Sequence, residues 1–240
     1  MIFSNEKNNM KVEIWADFAC PFCYIGKRRF EQALSRLPFR DHVQVVYRSF
    51  ELDPHAPKQV PYDVYDMLSK KFGMSRQQAI TGNENLKSQA AAVGLEFHFE
   101  GLVLTNTFDA HRLRHYAKQH GKDLVISELL YRAYFNENKN VSDYDTLADL
   151  ATEAGLNRED TLTMLFGTQF SELVRKEEAD SRILGITGVP FYYIDRKFAL
   201  SGAQSEEMFL SALQEAWNEQ NRDDVSSSSE NCVDGTCYIK

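Results

Sequence analysis

The stretch that most constrains this chain runs from Lys11 to Leu37. It reads as a short apolar segment (Val12, Ile14, Trp15), a break at Asp17-Phe18-Ala19, and then Cys20-Pro21-Phe22-Cys23 opening a helical pattern through Tyr24, Ile25, Phe30, Ala33, Leu34 and Leu37. Two cysteines with two residues between them, placed where a strand hands over to a helix, have the spacing of a thiol redox centre. In the first turn of that helix, Cys20 would face unpaired backbone N–H groups and the positive end of the macrodipole, which favour the attacking thiolate. Cys20 is therefore the expected nucleophile. Cys23, three residues on, shares its helix face, sits behind it and is better shielded, which makes it the expected resolving thiol. Pro21 has no N–H to leave unsatisfied and stiffens the first turn. Phe22 is expected to splay outward, beside whatever docks.

Two plainer readings stand beside this one. Free cysteines are commonly small buried hydrophobes, and a pair at this spacing can be half of a zinc site. Against the first, the chain has only 4 cysteines, and they fall in two close pairs. Against the second, a metal knuckle usually carries Gly or polar residues between its thiolates, whereas Pro21-Phe22 lies between apolar flanks. No metal and no cofactor is expected.

The 240 residues suffice for one well-filled domain, or for one domain with a large insertion. A 43% apolar fraction with 26% charge is that of a soluble globular protein, and the net charge of −8 argues against a nucleic-acid or anionic-membrane surface. Met1 to Asn9 is polar, and no stretch approaches the length that spans a bilayer. A cytoplasmic location is expected, where reactive, transient cysteine pairs are commoner than permanent staples.

Along the chain, His42 to Phe50 reads as a second strand ending at the turn Glu51-Leu52-Asp53-Pro54. With Lys11 to Ala16 it makes a β-α-β unit, parallel with a right-handed crossover. From Pro61 to about Leu184 the pattern is helical almost throughout, punctuated by glycines, with Ser142 and Asp143 signing a helix start and Gly155 its end. Glu96 to Phe99 is read as an extended loop. Val189 to Asp195 and Phe198 to Leu200 are strands too close in sequence to be anything but antiparallel. Ser205 caps a closing helix faced by Met208, Phe209, Leu213, Ala216 and Trp217. The order β-α-β, helical insert, β-β-α gives an α/β class, a thioredoxin fold with a mixed sheet and a large inserted α-helical domain. Residues 10–60 and 185–219 would form the discontinuous thioredoxin-like domain, 61–184 the insertion, and 220–240 a flexible tail.

Three segments carry a resemblance to a known family: Val12 to Asp17 before Cys20-Pro21-Phe22-Cys23-Tyr24-Ile25-Gly26-Lys27, then Asn106-Thr107-Phe108-Asp109-Ala110-His111-Arg112-Leu113, then Gly188-Val189-Pro190-Phe191. Together they resemble the DsbA-like thioredoxin superfamily, most closely its cytoplasmic FrnE-type branch. The resemblance implies thiol–disulfide oxidoreductase or isomerase activity with Cys20 and Cys23 as the active pair. It also implies a cis Val189–Pro190 bond packed beside the cysteines, leaving the Val189 backbone to pair with an extended substrate segment. The FrnE-type pattern often has Trp where this chain has Phe22. Glutathione-dependent isomerases and kappa-class glutathione transferases share the architecture, but typically have Ser at the position of Cys20 and no partner at Cys23.

The tail holds the second cysteine pair. Asn221 to Glu230, with four consecutive serines, reads as a polar linker that cannot bury enough surface to order itself. Asp234-Gly235 then signals a two-residue hairpin that sets Cys232 opposite Cys237, with Cα atoms about 4.5 Å apart, near the lower limit for a disulfide. A flexible linker of 13 residues from Glu219 to Cys232 would span about 20 Å on average and roughly 45 Å at full stretch. Cys232 and Cys237 could then act as an auxiliary pair exchanging with Cys20 and Cys23. The alternative is a tail whose cysteines are incidental or clip the terminus.

Weaker features complete the reading. His111 and His115 share a helix face with Phe108; the choice is between a metal pair, histidines satisfied where insert meets core, and His111 lining a cleft above Cys20. Asp17 relays protons or, more simply, shapes the turn. Lys27-Arg28-Arg29 reads as a solvated helix face. Three functions remain open: a disulfide oxidoreductase or isomerase working on protein or small-molecule thiols, recycled by glutathione or a thioredoxin-like partner; a glutathione-dependent isomerase or transferase acting on a small molecule; and a redox-regulated holding chaperone. Both monomer and dimer are compatible with the sequence.

Overall fold

The computed structural model of the chain describes residues 9–229, 232–233 and 236–237, with side chains as far as residue 222. Its centre is strand β1 (Met10–Ala16), buried along nearly its whole length. Helix α1 (Pro21–Ser35) leads from it to β2 (Val43–Ser49), which pairs parallel to β1 with Met10 opposite Val43 and Ala16 opposite Ser49. On the other side β3 (Phe191–Ile194) runs antiparallel to β1, and β4 (Phe198–Ser201) antiparallel to β3, giving the order β2-β1-β3-β4. This is the mixed sheet and the β-α-β, β-β-α order that the sequence predicts.

Alternation along β1 sends its side chains to two different neighbours. Val12 and Ile14 lie opposite Ile194 and Tyr192, on the face covered by α1 and by α9 (Glu206–Ser229). There Tyr192 packs against Phe209 at 4.6 Å and Phe30 at 5.5 Å between ring centres. Glu13 and Trp15 face the other way, toward α8 (Ser171–Ile183): Trp15 Nε1 donates to the Glu177 carbonyl at 3.1 Å.

Between β2 and β3 the chain makes α2 (Val64–Phe72), α3 (Arg76–Ala91), α4 (Phe108–Gln119), α5 (Asp123–Phe135), α6 (Tyr144–Glu153), α7 (Arg158–Phe166) and α8. Side-chain caps start several of them. Asp143 accepts from Thr146 N–H at the head of α6, and Ser75 forms a reciprocal capping box with Gln78 at the head of α3. Residues 96–99 have no regular structure, as expected, yet they are fixed. Phe97 and Phe99 are buried, and Phe97 stacks on Phe135 at 4.7 Å. Tyr24 of α1 stacks on Tyr131 of α5 at 4.9 Å, so one apolar core runs from the sheet into the inserted helices.

The C-terminal part departs from expectation. Where an unstructured linker is predicted from Asn221, α9 continues to Ser229. Extending a nucleated helix costs little, and each serine loses only about half a kcal/mol relative to alanine. Ala203 lies beside Gly26, Phe209 beside Phe30, and Trp217 stacks on Phe39 at 4.4 Å. The helix therefore runs alongside α1, away from Cys20. Beyond it, β5 (Cys232–Val233) and β6 (Thr236–Cys237) pair antiparallel, with Cys232 opposite Cys237.

Candidate active site

Cys20 sits one residue earlier than expected. It is the N-cap of α1, with φ −94 and ψ 111, and the helix proper begins at Pro21. Its own N–H donates to the Asp17 carbonyl at 3.1 Å, closing the turn that leaves β1, and its carbonyl accepts from Cys23 N–H at 3.0 Å. Pro21 offers no N–H, and the sulfur makes no capping hydrogen bond. It donates to the Val189 carbonyl instead, at 3.5 Å. The Val189–Pro190 peptide is cis, as the resemblance implies, and Phe22, between the two cysteines, is 42% exposed.

Both thiols are free, and both are deep: Cys20 keeps 3% of its surface and Cys23 2%. The predicted contrast in shielding is small; the contrast lies in the surroundings. Cys23 is pushed well above the ordinary thiol range, first by burial and then by hydrogen bonding and charge from Cys20. The backbone amide of Asp17 acts on it in the opposite sense, by hydrogen bonding to the sulfur. Cys23 is thus held as a thiol until something takes its proton.

Close approach around the pair depends on Gly26. A Cβ there would lie 2.6 Å from Tyr192 Oη, 3.2 Å from Pro190 Cγ and 3.3 Å from Ala203 Cα. The missing side chain lets the proline loop and α1 touch.

Behind the cysteines lies a buried polar cluster. Asp17 does shape the turn, with Oδ1 accepting from Ala19 N–H at 3.2 Å, but it also accepts from Thr107 Oγ1 at 2.7 Å and from Leu52 N–H at 2.7 Å. It therefore ties the end of β1 to both the β2 exit and the head of α4. His111 is 2% exposed, its ring 4.8 Å from Phe18 and its Nε2 3.6 Å from Asp17 Oδ1. It is sealed behind Phe18 and lines no open cleft. Glu51 accepts from Asn106 Nδ2 at 3.2 Å and from Arg175 Nη1 at 2.5 Å, and Glu178 meets the same guanidinium at 2.7 Å. Burial pushes the Glu51 carboxyl up; the His111 charge and the Arg175 hydrogen bond pull it down, and hydrogen bonding from Glu178 raises it again, to about 7.

Other expected residues fall elsewhere. His115, one turn beyond His111, bonds Glu177 at 3.1 Å within a second buried network that holds Arg114, Arg48 and Ser49. Among the described residues no group of three or more His, Cys, Asp or Glu is placed to hold a metal. Lys27-Arg28-Arg29 is not a solvated face. Lys27 is buried and bridges Glu31 at 2.8 Å and Glu128 at 2.5 Å, Arg28 meets Glu128 at 2.7 Å, and Arg29 donates to the Ala203 carbonyl at 2.7 Å. The basic run clamps α1 to α5 and to the loop before α9; Glu128, the counter-charge, lies a hundred residues away in sequence. Glu51 and Glu178 likewise escape a reading of the sequence. A signal for Glu51 existed: β1 and β2 are parallel, so acids just past both ends emerge at the same sheet edge, where open α/β sheets place their sites.

Known proteins share the fold that carries these residues. A family model described as a DSBA-like thioredoxin domain matches residues 11–214. The crystal structure of a probable DsbA oxidoreductase, SCO1869 from Streptomyces coelicolor, is 45% identical and superposes with a TM-score of 0.84, covering 88% of this chain and 91% of that one. YwbO from Bacillus subtilis (strain 168), an uncharacterized protein, is 27% identical over 209 residues, 84% of this chain and 94% of its own. The cytosolic disulfide reductase DsbM from Pseudomonas aeruginosa, also solved with glutathione, shares the fold with a TM-score of 0.61 at 15% identity, over 90% of this chain and 99% of its own.

Proposed function

The chain belongs to the family of DSBA-like thioredoxin domains, and from that premise we propose that it is a thiol–disulfide oxidoreductase whose redox centre is Cys20-Pro21-Phe22-Cys23. The observation that carries this reading is the pairing of Cys20, at the N-cap of α1 against the Val189 carbonyl, with Cys23 one turn behind and held protonated. In the reducing direction, the Cys20 thiolate attacks a substrate disulfide and one substrate sulfur leaves as a thiolate. The Cys23 thiolate then attacks Cys20 Sγ, the mixed disulfide breaks, and the second substrate thiolate departs. Two electrons pass from protein to substrate, and the reverse sequence oxidises a dithiol.

Phe22 supplies exposed apolar surface beside the pair, and the Val189 backbone supplies an acceptor that Cys20 vacates on losing its proton. An extended segment of a protein substrate fits there better than a small molecule does. Glutathione is the simplest recycling thiol, in a reducing cytoplasm, and the glutathione complex of DsbM favours that choice. Cys232 and Cys237, opposite one another in the terminal hairpin, form the proposed auxiliary pair. The test is catalytic: reduction of insulin, and refolding of scrambled ribonuclease, by parent, Cys20→Ser and Cys23→Ser proteins in glutathione buffers. The parent is expected to turn over and Cys20→Ser to be inert. Equal activity of parent and Cys20→Ser rejects the proposal.

A further inference from the structure

Strand β4 ends the sheet on one side. It stands last in the order β2-β1-β3-β4 and pairs along one flank, with β3. The register decides what its other flank offers. Gly202 N–H donates to the Pro190 carbonyl at 2.8 Å, and along an antiparallel ladder bonded and unbonded pairs alternate. With Leu200 opposite Tyr192 and Phe198 opposite Ile194, the residues of β4 that bond β3 are Phe198, Leu200 and Gly202. The N–H and C=O groups of Ala199 and Ser201 therefore point outward, from a stretch of backbone whose side chains are exposed at Ala199 and Ser201 and only half-buried at Phe198 and Leu200. Proteins commonly guard such an edge with proline or with charge in the strand, and Phe198-Ala199-Leu200-Ser201 carries neither. Gln204 Nε2 donates to the Ser201 carbonyl at 2.6 Å. That bond is exposed, and a carbonyl oxygen has a second lone pair to offer.

We propose that a second copy of this chain docks here, β4 against β4 about a twofold axis at Leu200, so that the two sheets become one. The strand is complementary to itself in that register. With Leu200 facing Leu200 of the partner subunit, Ala199 faces Ser201 of the partner subunit, and each such pair exchanges both N–H···O bonds through the outward groups. Phe198 faces Gly202 of the partner subunit, where no side chain obstructs the ring. Small residues meet on one face and apolar ones on the other.

Charge selects the same arrangement. Arg196 and Lys197 stand just before the strand, and Glu206 and Glu207 open α9 just after it. The Arg196 side chain is 76% exposed and lies 3.7 Å from Glu13, Lys197 meets Glu219 at 3.3 Å, and Glu207 is exposed. Antiparallel pairing brings the basic turn of each subunit to the end where the partner's acids lie; parallel pairing would set base beside base and acid beside acid. The direction of α9 adds a consequence. It runs from Ala203, beside Gly26, to Glu219, beside Lys197, and so opposite to β4. In the twofold pair each α9 then points toward the active-site end of the other subunit, and exchange of Cys232 and Cys237 with the partner's redox centre rises with protein concentration in step with the dimer.

Sedimentation of the full-length protein under reductant tests the association. The parent is expected to dimerise as its concentration is raised toward about 1 mM, more weakly at high salt. Ala199→Pro removes an outward N–H that β3 does not use, so the β3–β4 ladder survives; it is expected to raise the dissociation constant about tenfold or more. Ala199→Lys leaves the backbone intact and sets like charges across the axis, with the same expected effect, which keeps the test decisive should the proline variant not fold. Register is read by Leu200→Cys with Cys20, Cys23, Cys232 and Cys237 replaced by Ser. Air with copper phenanthroline is expected to link two such chains through residue 200, since an unbonded antiparallel pair holds its Cα atoms about 4.5 Å apart. A parent that stays monomeric overturns the proposal, as does a dimer that Ala199→Lys leaves unchanged or a Leu200→Cys protein that does not cross-link. None of these readouts involves Cys20, so the redox reading stands or falls separately.

Discussion

The carboxyl of Glu51, raised to about 7, makes a stability prediction of definite sign. Between the ordinary carboxylate value and pH 7 the folded protein holds a proton that the unfolded chain has lost, so stability from this group falls as pH rises through that window. The contribution is bounded at about 3 kcal/mol. Urea midpoints measured from pH 5 to pH 8 are expected to decline for the parent and to decline less for Glu51→Gln; parallel curves contradict the assignment. Glu177 acts with the opposite sign. Burial pushes it up, but hydrogen bonding from His115 and the Arg114 and His115 charges hold it well below the carboxylate range, so its stabilisation is lost as the solution turns acid. At this scale the sequence revealed what was local. The cysteine spacing, Pro21 at the first helical position and exposed Phe22 follow from neighbours in the chain. Glu51, Glu128 and Glu178 act only through partners brought close by folding; the parallel pairing of β1 and β2 signals the place of Glu51 at the sheet edge, but a single sequence carries no sign of the partners of all three.

At the level of elements, two contacts decide how α1 is held against its surroundings. Gly26→Ala would drive a methyl group into Tyr192 Oη and the Pro190 ring. A loss of about 1–3 kcal/mol is expected in urea unfolding, with slower insulin reduction as α1 moves off the Val189 loop. Tyr192 Oη is itself buried with no hydrogen-bond partner among the described residues. Tyr192→Phe is therefore expected to be neutral or stabilising alone, and to recover part of the Gly26→Ala loss; strict additivity of the two would contradict the contact. Across the other side of α1, Glu128→Ala leaves the buried Lys27 with Glu31 as its one remaining carboxylate among the described residues, an expected cost of about 2 kcal/mol. Strands, caps and helix starts were legible because periodicity, Asp143, Ser205 and the glycines mark them. The length of α9 was not: four serines argue against order, yet a docked helix extends through them because propagation needs no new nucleus.

For the whole molecule, the apolar core that joins sheet and inserted helices predicts one cooperative unfolding transition rather than two. Coincident tryptophan-fluorescence and circular-dichroism curves would agree, and separated midpoints would not. The path of α9 bears on the auxiliary pair. From Trp217, stacked on Phe39, the helix continues for about 18 Å away from Cys20. Exchange between Cys232/Cys237 and Cys20/Cys23 is then expected between molecules, with a rate that rises with protein concentration; a concentration-independent rate would require the last turns of α9 to unwind. All of this depends on Cys20 attacking and Cys23 resolving, and mass spectrometry of Cys23→Ser after oxidised glutathione tests that division of labour most directly. One glutathionyl group is expected to accumulate on Cys20 of the variant, while the parent under the same conditions ends with a Cys20–Cys23 disulfide and no adduct. An adduct on neither residue, or equal adduct on Cys20 in parent and variant, would contradict it.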